Sequence, residues 1–220
     1  MGRTILSPTR SHGFLDLYIG NVIIFCEGKT EKLYFDYFSD IIKKSTYTNI
    51  KVYVENTSGN ARRTLDYANN FMAQAENNIK YSEYQKYLAF DCDGDKDIQN
   101  IICEALNSNF EYSLLISNLI FETWLLMHFE NVDVPMGKRA IYTNLSGHLH
   151  SKKYKKARKG LIREIIQNGN VELAIDNAKK LQKAYADKGF TILSNIKTMN
   201  PYTNVHDLIE QLMITISKTA

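Results

Sequence analysis

Proline and glycine are scarce, three and eleven of 220 residues, which excludes collagen-like and low-complexity chains. Cysteine is also sparse: Cys26, Cys92 and Cys103 are odd in number, form no CxxC pair and sit in apolar segments. A disulfide framework and a structural zinc site are therefore excluded, and a reducing compartment is expected. No apolar run approaches the roughly 18 residues of a membrane span, and the opening MGRTILSPTRSHGFLD lacks the apolar stretch of a secretory signal. A cytoplasmic protein with no membrane role is the expectation. Net charge is small as well, +3, too little to identify a nucleic-acid-binding protein by itself.

What is present is ordinary globular composition, 44% hydrophobic and 23% charged, in a chain long enough to bury a substantial core. The charge is unevenly spread. Lys152, Lys153, Lys155, Lys156, Arg158, Lys159 and Arg163 crowd one stretch, which reads equally as a solvated helix face or as a phosphate-binding surface.

Hydrophobic periodicity divides the chain into two parts. Strands are expected at Gly20 to Cys26, Lys51 to Glu55, Tyr87 to Phe90 and Tyr112 to Ile116. Helices are expected between them, at about Thr30 to Lys44, Thr64 to Lys80 and Ile98 to Leu106. Alternation of this kind implies right-handed βαβ units and an α/β fold: a parallel sheet of about four strands flanked by helices. From Phe121 onward the pattern is helical only. FETWLLMHF reads as a buried helix, and further helices are expected at about Lys153 to Asn168, Val171 to Lys188 and Thr203 to Lys218. Asn200-Pro201 with Thr203 reads as the start and cap of the last one.

Chemistry concentrates where strands end. FDCDGD, Phe90 to Asp95, leaves a strand through Asp-x-Asp and so sets two carboxylates close enough to share a hard cation such as Mg²⁺. Asp-rich turns with glycine also arise for conformational reasons alone, so the motif reads both ways. It is not an EF-hand loop, whose twelfth position, counted from Asp91, is Ile102 here rather than glutamate. Nor is EGKT near Gly28 a P-loop, because the required first glycine is Ile23. Glu27 ends the first strand as Asp91 ends the third, and a parallel sheet brings such ends together. Carboxylates gathered there would repel one another unless a cation neutralised them. A helix-start carboxylate favoured by the macrodipole is the competing reading of Glu27. Glu122, amid apolar neighbours, is expected to be paired, metal-bound or a further site acid. Lys29 and Lys32 at the start of the first helix are candidates for phosphate contact, as are Lys155, Lys156 and Arg158 in the basic stretch, and Ser117 and Asn118 after the fourth strand for orienting substrate. His128 and His206 have no second histidine at ligand spacing and read as structural.

CEGKTEKLYFDYF (Cys26 to Phe38), FDCDGD, SNLIFETWLLMHFE (Ser117 to Glu130) and NPYTNVHDLIE (Asn200 to Glu210) together resemble the RloB-like family, a group related to Toprim domains and associated with abortive infection and phage defence. The resemblance, spread from about residue 20 to 215, marks the α/β part as Toprim-like, and the expected organisation is a flexible N-terminal tail over 1–18, a Toprim-like α/β domain over 19–130 and a helical extension packed on it over 131–220. It implies a metal-dependent nucleic-acid enzyme: Glu27 as general acid/base or metal-adjacent carboxylate, Asp91 and Asp93 holding Mg²⁺ (Mn²⁺ as the alternative), and Asp95 as an extra ligand. It also implies an ABC-type ATPase partner and a role as an anti-phage effector. Without topoisomerase accessory domains or an active-site tyrosine context, phosphodiester hydrolysis of DNA or RNA is favoured over strand passage. The alternatives are a non-catalytic module that binds nucleic acid or a partner protein, and a primase-type nucleotidyl transferase, for which no nucleotide pocket is legible.

Overall fold

The computed structural model of the chain describes residues 19–42, 50–54, 59–92 and 96–219. The expected N-terminal tail and the expected ligands Asp93 and Asp95 lie outside these residues.

The first strand, β1 (Val22–Cys26), is VIIFC with every side chain buried. A strand that is apolar on both faces has to lie inside a sheet covered on both sides. It is flanked by β2 (Ile50–Val54) and β3 (Gln85–Asp91), to each of which it pairs in parallel. Beyond β3 comes β4 (Tyr112–Asn118), also parallel. A two-residue fifth strand, β5 (Tyr202–Thr203), closes the edge in the antiparallel sense, giving the order β2-β1-β3-β4-β5.

Side-chain alternation assigns the helices to the two faces. Val22, Ile24 and Cys26 of β1, with Tyr87, Ala89 and Leu115, pack against α1 (Lys29–Ile42), whose stripe of Tyr34, Phe35, Phe38 and Ile42 recurs at helical spacing. Ile23, Phe25, Leu88, Phe90, Leu114 and Ile116 face the other way. They meet α2 (Ala61–Ala73) and α4 (Ile98–Leu106), while the short α3 (Ala75–Lys80) buries nothing. Asn60 caps α2 by accepting from the Arg63 N–H at 2.9 Å.

The second half continues the first of these two cores. Helices α5 (Glu122–Leu126), α6 (Lys138–His148), α7 (Lys159–Asn168), α8 (Val171–Ala186) and α10 (His206–Thr219) share one buried cluster with β1 and α1. A single turn, α9 (Ile192–Asn195), leads towards β5. His128 is buried in this core between the Tyr34 hydroxyl and the Trp124 carbonyl, each at 3.0 Å, the structural role expected of it.

Four expectations are corrected. The second half holds a strand, β5, which at two residues is too short to carry a periodic pattern. Thr203 lies in that strand, not at the start of α10, and its hydroxyl accepts from the Val205 N–H at 3.3 Å. The helix expected from Thr64 to Lys80 starts earlier and breaks at Gln74, whose backbone is extended. Finally, the helix expected from Lys153 begins only at Lys159, and α6 precedes it where no element was expected. Between them runs an irregular segment, 149–158, in which Lys152 and Ala157 adopt left-handed backbone (φ 51° and 56°) that no helix tolerates.

Candidate active site

The chain leaves β1 for β2 through α1 on one face and returns across β1 to β3 through α2 on the other. Right-handed crossovers that change direction must change face, so the connections leaving β1 and β3 splay apart and open a crevice at their carboxyl ends. Glu27 stands on one lip and Asp91 on the other. The Glu27 N–H donates to the Ala89 carbonyl at 2.8 Å, extending the ladder by one bond. Glu27 Oε2 then accepts from the Asp91 N–H at 3.0 Å, so the carboxylate is pinned across the mouth. Gly59 packs on the outer side: a Cβ there would lie 2.5 Å from the Glu27 carbonyl oxygen. Only glycine fits without moving Glu27.

Asp91 shares parity with Tyr87 and Ala89 and therefore turns towards the α1 face, where two further acids meet it. Glu31, in the first turn of α1, continues the buried stripe of that helix, and Glu122 opens α5. Asp91, Glu31 and Glu122 retain 6%, 5% and 0% of their exposure. Burial raises the Asp91 carboxyl well above the carboxylate range, and the charges of Glu31, Glu27 and Glu122 raise it further. Glu31 is pushed up to about 8, chiefly by burial, with Glu122 and Glu27 adding to it and its own backbone N–H and Lys156 opposing. Gly28 leaves room for this carboxylate: a Cβ there would meet Glu31 Oε2 at 2.7 Å. Two oxygens in the cluster, Asp91 Oδ1 and Glu122 Oε2, are buried without any hydrogen-bond donor.

The segment 149–158 crosses the cluster as a strap. The Tyr154 hydroxyl donates to Glu122 Oε1 at 2.8 Å. Lys156 Nζ lies 3.6 Å from Glu122 Oε2 and 5.8 Å from the centre of the Tyr142 ring. The Ala157 N–H donates to Thr30 Oγ1 at 3.2 Å, joining the strap to the start of α1. Burial works against the Lys156 ammonium, yet Glu122, Tyr142 and Asp91 outweigh it and hold the group protonated beyond its usual range.

Of the residues singled out in the sequence, Glu27, Asp91, Glu122 and Lys156 are brought together. Lys29 is exposed in the first turn of α1, and Lys155 and Arg158 are exposed on or beside the strap. Lys32 turns to the β2 side, where it binds Asp36 at 2.8 Å and the Val52 carbonyl at 3.2 Å. Ser117 and Asn118 are buried at the β4 end: Ser117 Oγ meets Thr203 Oγ1 at 3.3 Å, and Asn118 Nδ2 donates to the Ile196 carbonyl at 2.6 Å. Sequence reasoning missed Glu31 and Tyr154. Glu31 was open to detection, as an acid four residues after Glu27 on the apolar stripe of an amphipathic helix. Tyr154 carried no local signal, because its partner is 32 residues away.

Among the described residues no three acidic, histidine or cysteine side chains are gathered tightly enough to hold a metal ion. The donor set nonetheless suits a hard cation, being all carboxylate oxygen, mutually repulsive, and including two buried oxygens that accept no hydrogen bond. No helix among the described residues is long and apolar enough to cross a membrane. The family model described as RloB-like protein matches residues 22–212. No curated protein and no solved structure matches the chain.

Proposed function

The chain belongs to the RloB-like protein family, and from that premise we propose that it is a Mg²⁺-dependent phosphodiesterase of Toprim type that hydrolyses DNA or RNA. The observation that carries this reading is the meeting of Glu27, Glu31, Asp91 and Glu122 at the switch point of the sheet, with Asp91 Oδ1 and Glu122 Oε2 buried and unsatisfied. Asp91 and Glu122 would hold the cation, together with Asp93 and Asp95, and Mn²⁺ would serve in its place. When bound, the cation would supply Lewis acidity towards a phosphodiester group. Glu27, pinned by the Asp91 N–H, is the residue held still enough to take a proton from an attacking water. Lys29 and the exposed Lys155 and Arg158 would meet the flanking phosphates.

The expected setting is anti-phage defence, with an ABC-type ATPase as partner in a reducing cytoplasm. A second reading, a non-catalytic module that binds nucleic acid, is favoured by the basic strap and by the acids not yet standing at ligand distance. Cleavage of plasmid DNA and of total RNA including tRNA, with Mg²⁺ or Mn²⁺ and with or without the candidate ATPase, separates the two. Hydrolysis lost in both Glu27→Gln and Asp91→Asn is the expected result. Intact substrates throughout, with salt-sensitive binding that neither substitution alters, would replace this reading with the second.

A further inference from the structure

We propose that Lys156 is a built-in counter-ion of the acid cluster, and that a divalent cation entering the cluster displaces it and releases the 155–158 end of the strap. The inference rests on the metal-site reading above. Lys156 Nζ is 3.6 Å from Glu122 Oε2, an oxygen that receives no hydrogen bond from it or from any other donor. That pairing is held by charge without directional geometry, and the ammonium is half exposed while the carboxylate is buried. A doubly charged cation ligated directly by Glu122 gains more from the same field than a single charge held at that separation. The cation and the ammonium both draw on Glu122 Oε2 and repel each other there, so occupancy by one weakens the hold of the other.

The strap is built to respond. Its first half is anchored by buried Leu149, by the Tyr154 N–H donating to Ser146 Oγ at 2.8 Å and by the stacking of Tyr154 on Tyr142, whereas beyond Tyr154, whose hydroxyl donates to Glu122, the one backbone tie to the site is the Ala157 amide to Thr30. Two of its residues, Lys152 and Ala157, hold left-handed backbone at φ 51° and 56°, a conformation that non-glycine residues keep only where surrounding contacts impose it. The Tyr154 bond runs to the same carboxylate that a cation would draw upon, so both side-chain ties loosen in one event. Once free, Lys156 joins Lys152, Lys153, Lys155, Arg158 and Lys159 in a run of cations facing solvent. Metal occupancy would thereby strengthen the basic surface beside the site, and a polyanion on that surface would favour the metal in return.

The test is an electron paramagnetic resonance titration of free Mn²⁺ against the full chain and against Lys156→Met, Lys156→Arg and Lys155→Met, alongside amide hydrogen exchange of the wild type with and without Mn²⁺. Lys156→Met should bind Mn²⁺ about tenfold more tightly than wild type, with Lys156→Arg and Lys155→Met within about twofold of it. Exchange across 155–158, the Ala157 amide above all, should accelerate when Mn²⁺ is added. Mn²⁺ binding to Lys156→Met where the wild type binds none would overturn the displacement, because the ammonium would then block the cation and stay in place. Equal or weaker binding by Lys156→Met, with the wild type binding, overturns this inference and leaves the metal site standing. Tighter binding with exchange unchanged overturns it too, because the ammonium would then repel the cation without leaving. Binding by neither protein removes the metal site and the inference together.

Discussion

Two groups of polar side chains are buried at the carboxyl end of the sheet, a few residues apart along β3 and β4, and they are treated oppositely. Beside β4, Ser117, Asn118, Thr203 and Asn204 each have an answer. Asn204 accepts from the Ile116 N–H at 2.7 Å and donates to the Leu114 carbonyl at 2.8 Å, acting as one more rung where β5 stops. Ser117 and Asn118 are similarly occupied by Thr203 and by the Ile196 carbonyl. Beside β3, acids of one sign are crowded together and two of their oxygens are left without donors. These four side chains serve the fold and are completed by it. At the acid cluster like charges are added to the missing donors, and Lys156 offsets part of that charge without donating a hydrogen bond, which leaves the cluster open to a further cation.

The contrast is sharpened most by exchanging one residue on each side. Asp91→Asn should lower metal-dependent cleavage at least a thousandfold, about 4 kcal/mol on the barrier, while leaving the metal-free protein as stable as wild type or about 1 kcal/mol more so, through relief of repulsion. Asn204→Ala should do the reverse in urea unfolding, losing about 2–4 kcal/mol because it strands a buried N–H and a buried carbonyl. A large loss of stability in Asp91→Asn would break the comparison. The next largest effect is on pH dependence. The Glu31 carboxyl, raised to about 8, contributes stability that is fully present below its unfolded value near 4 and is lost as pH rises through 8. His128, lowered to about 4 by burial, acts in the opposite sense, losing stability as pH falls from about 6.5. The window from about pH 6.5 to 8 therefore isolates the acids: the melting temperature of the metal-free protein should fall across it, and Glu31→Gln should flatten that slope.

A smaller effect is expected at Gly59. A Cβ 2.5 Å from the Glu27 carbonyl oxygen forces a backbone shift, so Gly59→Ala should cost about 1–3 kcal/mol in stability and a larger proportion of the cleavage rate than of the folded fraction, as the ratio of activity to circular dichroism would report. The smallest change belongs to the outward face of the strap. Lys155→Ala should leave stability within about 0.5 kcal/mol and reduce the salt slope of nucleic-acid binding by about one.

How much of this could be read from residues alone follows from the range of each interaction. The strand-helix alternation of the first half, and the two acids that follow β1 and β3, are local features, and the parallel sheet follows from them. Glu122 stood out because an acid inside FETWLLMHF has no local way to be satisfied. Glu31 was masked by the charged start of a helix, where an acid is also expected for the macrodipole. The strap was read as helix because its lysines suit one; what prevents the helix is the anchoring of Tyr154 and Ala157 to Glu122 and Thr30, contacts spanning 32 and 127 residues. Strand β5 was invisible for the same reason, since its pairing reaches back to Ser117 and Asn118 and not to any neighbour in sequence.

The central claim is that the acids at the end of β1 and β3 await a divalent cation, and thermal unfolding of the intact chain against Mn²⁺ concentration tests it most directly. A cation that binds the folded chain alone must raise its melting temperature steadily with concentration; the account predicts that rise in wild type and its disappearance in Asp91→Asn. No rise in wild type, or an equal rise in both proteins, would contradict it.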